Sequence, residues 1–97
     1  MNYYFHPAAE EEHLETVAYY ESKRPGLGAS YLVEFENILE DICDTPHRYP
    51  IELKPDIQRR RMEKFPFTVL FRSVSGSIQI LAVAHNRKRP IYWVGRL

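Results

Sequence analysis

The residues best suited to chemistry lie near the end of the chain, where His85 precedes the basic run 87–89 and Tyr92 follows it. A histidine, several arginines and a tyrosine together would suit RNA cleavage, in which a 2′-hydroxyl attacks the adjacent phosphate. That reaction needs a base, an acid and cations that stabilise the crowded phosphate. The segment is therefore a candidate site for phosphate chemistry.

The same segment has a structural interpretation. His85 ends an apolar run, so its ring could cap a strand through hydrogen bonds, and Tyr92 and Trp93 could close the edge of a core. No second histidine or carboxylate stands nearby in the sequence to orient His85. Residue types alone therefore favour the structural interpretation over the catalytic one.

Nine of the ten cations in the second half fall in three places. They are 59–61 with Lys64, then Arg72, then 87–89 with Arg96. If the segments that carry them are neighbouring strands, these clusters can share one side of a sheet and face phosphate. Side chains alternate along a strand, so at most two of the three consecutive arginines share a face. The alternative is a solvated face whose cations pair with acids of the same chain.

The charge of the chain is strongly divided between its halves. Residues 1–50 carry three bases and ten acids, a net charge of −7, whereas residues 51–97 carry ten bases and three acids, a net charge of +7. The formal charge of zero conceals this division. Such asymmetry indicates a polyanionic or acidic partner for the basic half.

Length and composition indicate one domain over residues 1–97. With 44% hydrophobic and 13% aromatic residues, the chain can bury a core, which argues against disorder. Cys43 is the only cysteine and cannot form an internal disulfide, so we expect a cytoplasmic protein. We expect no signal peptide, and the apolar run 80–84 is too short to cross a membrane. The histidines lack metal-ligand spacing, and no cofactor motif is present, so we expect neither a metal nor a cofactor.

The first half predicts a strand and a helical hairpin. Residues 2–6 are β-prone and end before Pro7, and residues 8–22 form a helix whose apolar stripe is Leu14, Val17 and Ala18. Proline and two glycines within 24–28 break this helix. A second helix over 28–44 has a wide apolar stripe. The stripe consists of Tyr31, Leu32, Phe35, Ile38, Leu39 and Ile42.

The second half predicts a loop followed by strands. Residues 46–58 contain three prolines and form a long loop, and residues 59–64 form a strand. Period-two alternation predicts a hairpin over 67–85 that turns at Ser75 and Gly76, with Ile78, Ile80, Ala82 and Ala84 on one face. Because Leu81 and Val83 are also apolar, the last strand should be covered on both faces. The fold class is α+β, in the order β-α-α-β-β-β, with a helical hairpin packed on a small, mainly antiparallel sheet.

Several of these segments resemble a known superfamily. Its most specific parts are the start of the hairpin, Phe-Pro-Phe at 65–67, and the ending His85-Asn-Arg-Lys-Arg-Pro-Ile-Tyr92-Trp93. The ending is close to the pattern His-x-x-Arg-x-Pro-x-Tyr-Trp and departs from it at position 88, where Lys stands in place of Arg, between Arg87 and Arg89. Together with Arg60-Arg61 and the two helices, they are similar to the RelE/ParE superfamily of toxins from bacterial type II toxin–antitoxin, or plasmid stabilisation, modules. The resemblance spans nearly the whole chain and favours the ParE-like subgroup.

The two subgroups imply different activities. ParE-like members poison DNA gyrase and have no accepted catalytic set, which would make the chain a non-enzymatic inhibitor of growth. RelE-like members cleave messenger RNA in the ribosome. By matching positions, their chemistry would fall to Arg72, His85 or Arg87, and Tyr92. The sheet has few lysines and Pro90 stands where the nuclease tail is usually polar, so the sequence departs from the nuclease pattern.

The resemblance also implies a protein partner. A cognate antitoxin would wrap the toxin with an amphipathic, partly disordered segment that folds on binding. We expect partner contacts to concentrate on the basic half, while the acidic helix faces remain solvated or face another subunit. The candidate binding residues are Arg59, Arg61, Lys64, Arg89, Trp93 and Arg96. A non-toxic nucleic-acid-binding module is a further alternative, since fold resemblance does not choose a function.

Overall fold

The first half of the chain folds as one strand and two helices. A computed structural model describes residues 1–97 and places β1 at Asn2–Phe5, α1 at Pro7–Lys23 and α2 at Leu27–Asp44. Helix α1 begins at Pro7, one residue before the predicted start, because Pro7 suits the first turn and the Nδ1 atom of His6 accepts a hydrogen bond from the Ala8 N–H. Neither helix combines the length and apolarity that crossing a membrane requires.

A tight connection holds the two helices together. The Glu21 carboxylate accepts hydrogen bonds from the N–H groups of Gly26 and Gly28, which lie at the start of α2. Gly26 has a φ of 90°, a left-handed conformation that glycine adopts without steric cost. A Cβ atom on Gly28 would lie 2.9 Å from the Val17 carbonyl oxygen. The glycine at position 28 therefore permits the close approach of α2 to α1.

The buried side of α1 differs from the predicted stripe. Leu14 is 60% exposed, and Ala18 is also exposed, so the predicted stripe is wrong at both positions. Ala9, His13 and Thr16 are buried instead. The polar members are satisfied, because Thr16 donates to the Glu12 carbonyl and the Nδ1 atom of His13 lies 3.1 Å from the Tyr31 hydroxyl. Because these polar side chains have hydrogen-bond partners, α1 can bury the face that carries them. The face that carries Leu14 is left exposed.

Helix α2 supplies most of the core from the helical side. Tyr31, Phe35, Ile38, Leu39 and Ile42 are all buried, and Leu32 packs against them while partly exposed. The stripe predicted from spacings of three and four residues is thus confirmed.

The segment predicted as the loop 46–58 has structure of its own. It contains a 3₁₀ turn at Pro46–Arg48 and a short strand, β2, at Ile51–Leu53. Buried Gln58 donates its side-chain amide to the Pro46 and Tyr49 carbonyls and so holds the turn against the sheet. The next strand, β3, runs Ile57–Arg61 and not 59–64. The sequence did not predict β2 because this segment contains three prolines, and proline is rare in strands.

The remaining strands complete a five-stranded mixed sheet. Strands β4 (Phe67–Val74) and β5 (Ser77–His85) form the predicted hairpin around Ser75 and Gly76. The strand order is β1-β5-β4-β3-β2, and only the β1–β5 pair is parallel. The predicted α+β class and order are confirmed, with β2 as an additional edge strand.

An irregularity in the β4–β5 pairing sets which residues face the helices. The register shifts between Leu70 and Phe71, as in a β-bulge. Ile78, Ile80 and Val83 of β5 therefore join the core under the helices, on what we call the inner face. Ala82 and Ala84 were predicted to share a face with Ile78 and Ile80, but they pack on the opposite, outer face. Apolar residues cover β5 on both faces, as predicted.

The end of the chain covers the outer face. A 3₁₀ helix at Tyr92–Arg96 follows Ile91, whose φ of 51° is unusual for a β-branched residue. Trp93 from this helix is only 3% exposed and packs on a second apolar cluster with Ile57, Leu70 and Leu81. The C-terminal segment is thereby fixed against the sheet.

The contact between the helices predicts the effect of replacing Gly28. We expect Gly28→Ala to lower the free energy of unfolding by about 1–2 kcal/mol, because a clash with a backbone carbonyl outweighs the gain in helix propensity. Gly95→Ala is the matched control, since nothing lies within 4 Å of the place that its new methyl group would take. Urea denaturation of both variants measures the difference. Equal stability of the two variants would contradict the close approach.

The buried histidine predicts a dependence of stability on pH. Burial lowers the pKa of His13 from 6.5, against the opposing influence of Glu36 and Glu10. The unfolded chain therefore takes up this proton first, and the free energy of unfolding should fall as the pH drops below about 6.5. The loss is complete once the pH is below the folded pKa as well.

His13→Gln tests this prediction, because the amide can still bond Tyr31 but does not titrate near neutral pH. Urea midpoints between about pH 7.5 and 5.5 should fall in the natural chain and change less in the variant. Identical slopes in the two proteins would assign the pH dependence to other groups.

Candidate functional site

Four cations gather at a cleft on the outer face of the sheet. The cleft has a volume of about 400 Å³ and lies between β3, the end of β5 and the segment that follows it. Arg59 and Arg61 come from β3, and Lys88 and Arg89 come from the segment after β5. We call this the basic cleft. The sequence prediction that separate cation clusters share one side of the sheet is confirmed for these four residues.

Strand pairing explains how the cleft forms. Arg59 pairs with Leu70 and Arg61 with Thr68 across β3 and β4, and Thr68 pairs in turn with Ala84 of β5. Because side chains alternate along a strand, both arginines lie on the outer face. Arg60, between them in the sequence, lies near Glu63 and helix α2 instead. The small side chain of Ala84 leaves room in the floor of the cleft.

Three of the four cations have no carboxylate partner. Arg59 bonds Glu52 at 3.3 Å, but Arg61 and Arg89 are exposed and form no ion pair. The Lys88 ammonium lies 4.9 Å from the centre of the Tyr92 ring. Unpaired cations around a concave surface create a positive potential that attracts anionic groups.

The segment after β5 is held by local hydrogen bonds. The Nδ1 atom of His85 accepts from the Arg87 N–H at 3.1 Å, and Asn86 accepts from the Thr68 hydroxyl at 2.7 Å. The His85 ring also packs edge-on against Phe67, with 5.1 Å between ring centres. The structural interpretation of His85 as a strand cap is thus what the geometry shows.

Glu12 of α1 anchors the C-terminal helix beside the cleft. Its carboxylate accepts two hydrogen bonds from Arg96, at 2.9 and 2.8 Å, one from the Tyr92 hydroxyl at 2.6 Å, and one from the Val83 N–H at 3.0 Å. Arg96 also donates to the Leu81 carbonyl at 2.9 Å. We call these residues the Glu12 cluster.

The Glu12 cluster changes the acidity of its members. Burial acts to raise the pKa of Glu12, but hydrogen bonds from Arg96, Tyr92 and Val83 together hold that pKa below its ordinary value. Burial and the bond to Glu12 raise the pKa of the Tyr92 hydroxyl. Tyr92 is therefore a committed hydrogen-bond donor near neutral pH.

The four candidate catalytic residues are not assembled as a set. His85 and Tyr92 both line the basic cleft, but Arg72 and Arg87 do not. Arg72 lies further along β4, where its Nε donates to Gln79 at 2.9 Å, and Arg87 is exposed. The structure thus brings together two of the four residues.

The six candidate binding residues also divide. Arg59, Arg61 and Arg89 line the cleft, and so does Trp93, although its side chain is almost wholly buried. Arg96 is occupied in the Glu12 cluster. Lys64 lies near α2, where its backbone N–H bonds Glu34.

The binding set predicted from the sequence omits two residues that matter here. Lys88 lies within the basic run 87–89, yet nothing in its spacing distinguishes it from Arg87. Glu12 is one of three consecutive glutamates, and its partner Arg96 is 84 residues away. Only the folded chain shows either role.

A second concave surface adjoins the basic cleft. It has a volume of about 670 Å³, lies between α1 and the β4–β5 strands, and includes Tyr19, Tyr20 and Phe67. We call it the aromatic groove. It shares His85, Lys88 and Tyr92 with the basic cleft, so the two surfaces are continuous. Cations and aromatic rings together are typical of a surface that binds another macromolecule. No group of three or more acidic, histidine or cysteine residues is placed to hold a metal ion.

The Glu12 cluster gives a prediction about stability. Glu12→Gln removes the charge that Arg96 and Tyr92 bond, so the free energy of unfolding should fall by about 2 kcal/mol. Glu11→Gln is the matched control, because the Glu11 side chain is exposed and forms no ion pair. That change should stay within about 0.5 kcal/mol. Equal urea midpoints for both variants would show that the cluster does not anchor the C-terminal helix.

Comparisons with known proteins give a likeness to a solved structure. No protein-family model matches the chain, and no curated protein does. Among solved structures, it is similar to a chain of the "Chromosomal ParDE TA system from P. aeruginosa", with a TM-score of 0.75 and 16% sequence identity. The match covers 88% of this chain and 95% of that chain. At this identity the likeness establishes the fold: the protein has the fold of a chain from a ParDE toxin–antitoxin system.

Proposed function

We propose that the protein is the toxin of a type II toxin–antitoxin module, with a plasmid-stabilising or related role. The observation that carries this proposal is the structural likeness to the ParDE chain, which extends over most of both chains. The sequence resemblance at 65–67 and 85–93 also supports it: the first segment leads into β4, and every residue of the second segment except Arg87 lines the basic cleft.

A cognate antitoxin is the first partner in this proposal. The basic cleft offers three cations without carboxylate partners, and the adjoining aromatic groove offers apolar surface. An amphipathic antitoxin segment that orders on binding would use both. A cytoplasmic location is part of the proposal and agrees with the single, unpaired Cys43.

The proposed target is DNA gyrase, and the proposed mode of action is inhibition without catalysis. Support comes from the dispersal of the four nuclease candidates, because Arg72 and Arg87 lie outside the cleft. The hydroxyl of Tyr92 donates to Glu12 and has a raised pKa, which makes it a poor general base.

One observation favours a second function. His85 and Tyr92 do share the basic cleft with Arg61 and Arg89, so cations surround two residues of the nuclease set. The second candidate function is therefore a ribosome-dependent endonuclease that cleaves messenger RNA. On that alternative, Arg72 and Arg87 would have to approach the cleft in the ribosome.

A supercoiling assay tests the proposed target. Purified protein should inhibit the supercoiling of relaxed plasmid by DNA gyrase, and the cognate antitoxin should restore it. The double variant Arg72→Ala with Arg87→Ala should inhibit equally well, because neither residue lies in the cleft.

Two results would contradict this expectation. Normal supercoiling at a large molar excess of folded protein would remove gyrase as the target. Cleavage of messenger RNA on translating ribosomes, lost in the same double variant, would establish the endonuclease instead.

A further inference from the structure

The two charged halves of the chain remain largely uncompensated after folding. Three ion pairs form, and two of them, Arg59–Glu52 and Arg60–Glu63, join residues within the basic half. Only the Arg96–Glu12 pair joins the basic half to the acidic half. The pairing of basic-half cations with the acidic helices, which the sequence left open, is therefore restricted to one contact.

The sheet explains this separation. Helices α1 and α2 pack on its inner face, while the basic cleft opens on its outer face. Carboxylates on the solvent-exposed side of α2 lie across the sheet from the cleft and therefore cannot reach the cleft of their own chain. Only a contact between two molecules can bring this acidic surface of α2 to a basic cleft.

The acidic surface is as well defined as the basic one. Glu36, Glu40 and Asp44 are exposed and are spaced by four residues on α2, so they follow one side of the helix over about 12 Å. They border a groove of about 690 Å³ that also contains Tyr3 and Leu39. We call this the acidic ridge.

One cation lies beside the acidic ridge, and one further acid flanks it. The Met1 amino group borders the groove and donates to the Cys43 carbonyl. Asp41 lies on the neighbouring side of α2 and is exposed. The ridge therefore carries a net negative charge, and the groove beside it is partly lined by apolar side chains.

We propose that the acidic ridge of a second copy of this chain docks in the basic cleft. Three carboxylates of the ridge would face the three unpaired cations Arg61, Lys88 and Arg89. A zero net charge at neutral pH removes the overall repulsion that keeps most proteins apart. Because the two surfaces differ and lie on opposite sides of the sheet, the contact is head to tail and can repeat along a chain of molecules.

The strength of this contact follows from its exposure. Ion pairs between exposed side chains contribute little individually and are screened by salt, so association is weak and confined to low ionic strength. The second copy occupies the same cations that any other acidic ligand of the cleft would use. Self-association and binding of such a ligand therefore compete, whichever function the protein has.

Sedimentation velocity on the full chain tests the proposal. At about 20 mM NaCl the weight-average sedimentation coefficient should rise with protein concentration, and at about 500 mM NaCl it should stay at the monomer value. Arg61→Glu with Arg89→Glu reverses the cleft, and Glu36→Lys with Glu40→Lys reverses the ridge. Each double variant alone should stay monomeric at low salt.

A mixture of the two reversed variants provides the decisive measurement. The reversed cleft of one complements the reversed ridge of the other, so mixing should restore association. Arg24→Glu with Lys54→Glu is the control for net charge, because both residues are exposed and lie outside the cleft and the ridge.

Three results would overturn the proposal. They are a natural chain that stays monomeric at low salt, a mixture that fails to associate although circular dichroism shows both variants folded, and equal loss of association in the control. These outcomes do not depend on toxicity, so failure here would leave the proposed function untouched.

Discussion

The bidentate pair between Glu12 and Arg96 is the interaction on which the arrangement of the functional surface depends. Strand β1 pairs with β5 only as far as Phe5 and Ile80, so the next backbone groups of β5 on that side have no strand partner. Glu12 accepts from the Val83 N–H and Arg96 donates to the Leu81 carbonyl, which satisfies this open edge. A single cluster thus joins α1, β5 and the C-terminal 3₁₀ helix.

This anchor decides which charged groups remain available. With the C-terminal helix fixed, Trp93 is buried on Leu70 and Leu81, and the segment 85–91 closes one side of the basic cleft. Arg96 and Tyr92 are used in the anchor itself, where a desolvated ion pair is favourable only with near-complete hydrogen bonding. Within the basic cleft, the cations left for a partner are therefore the three without an ion pair, Arg61, Lys88 and Arg89.

The sequence predicted correctly those elements whose structure follows from the spacing of their own apolar residues. Helix α2 and the β4–β5 hairpin follow spacings of three to four and of two, respectively, and both are confirmed. Prediction failed where a distant partner determines the outcome. His13 is buried because Tyr31 bonds it and Phe5 and Phe35 pack on it, and β2 exists because β3 pairs with it. For the site, the sequence predicted the shared basic surface but not the role of Glu12. Glu12 follows two other glutamates, and nothing in the local sequence distinguishes it from them.

Hydrogen bonds within the chain already engage Tyr92 and His85, the two candidate catalytic residues that line the cleft. The Tyr92 hydroxyl donates its proton to Glu12, and the Nδ1 lone pair of His85 accepts from the Arg87 N–H. Of the two His85 ring nitrogens, Nε2 is the one that this contact leaves free to meet a ligand. The unpaired cations of the cleft create a positive potential that attracts anionic groups. The basic cleft, as folded, thus offers unpaired cations to an anionic group, while Tyr92 at its edge is held by the Glu12 cluster.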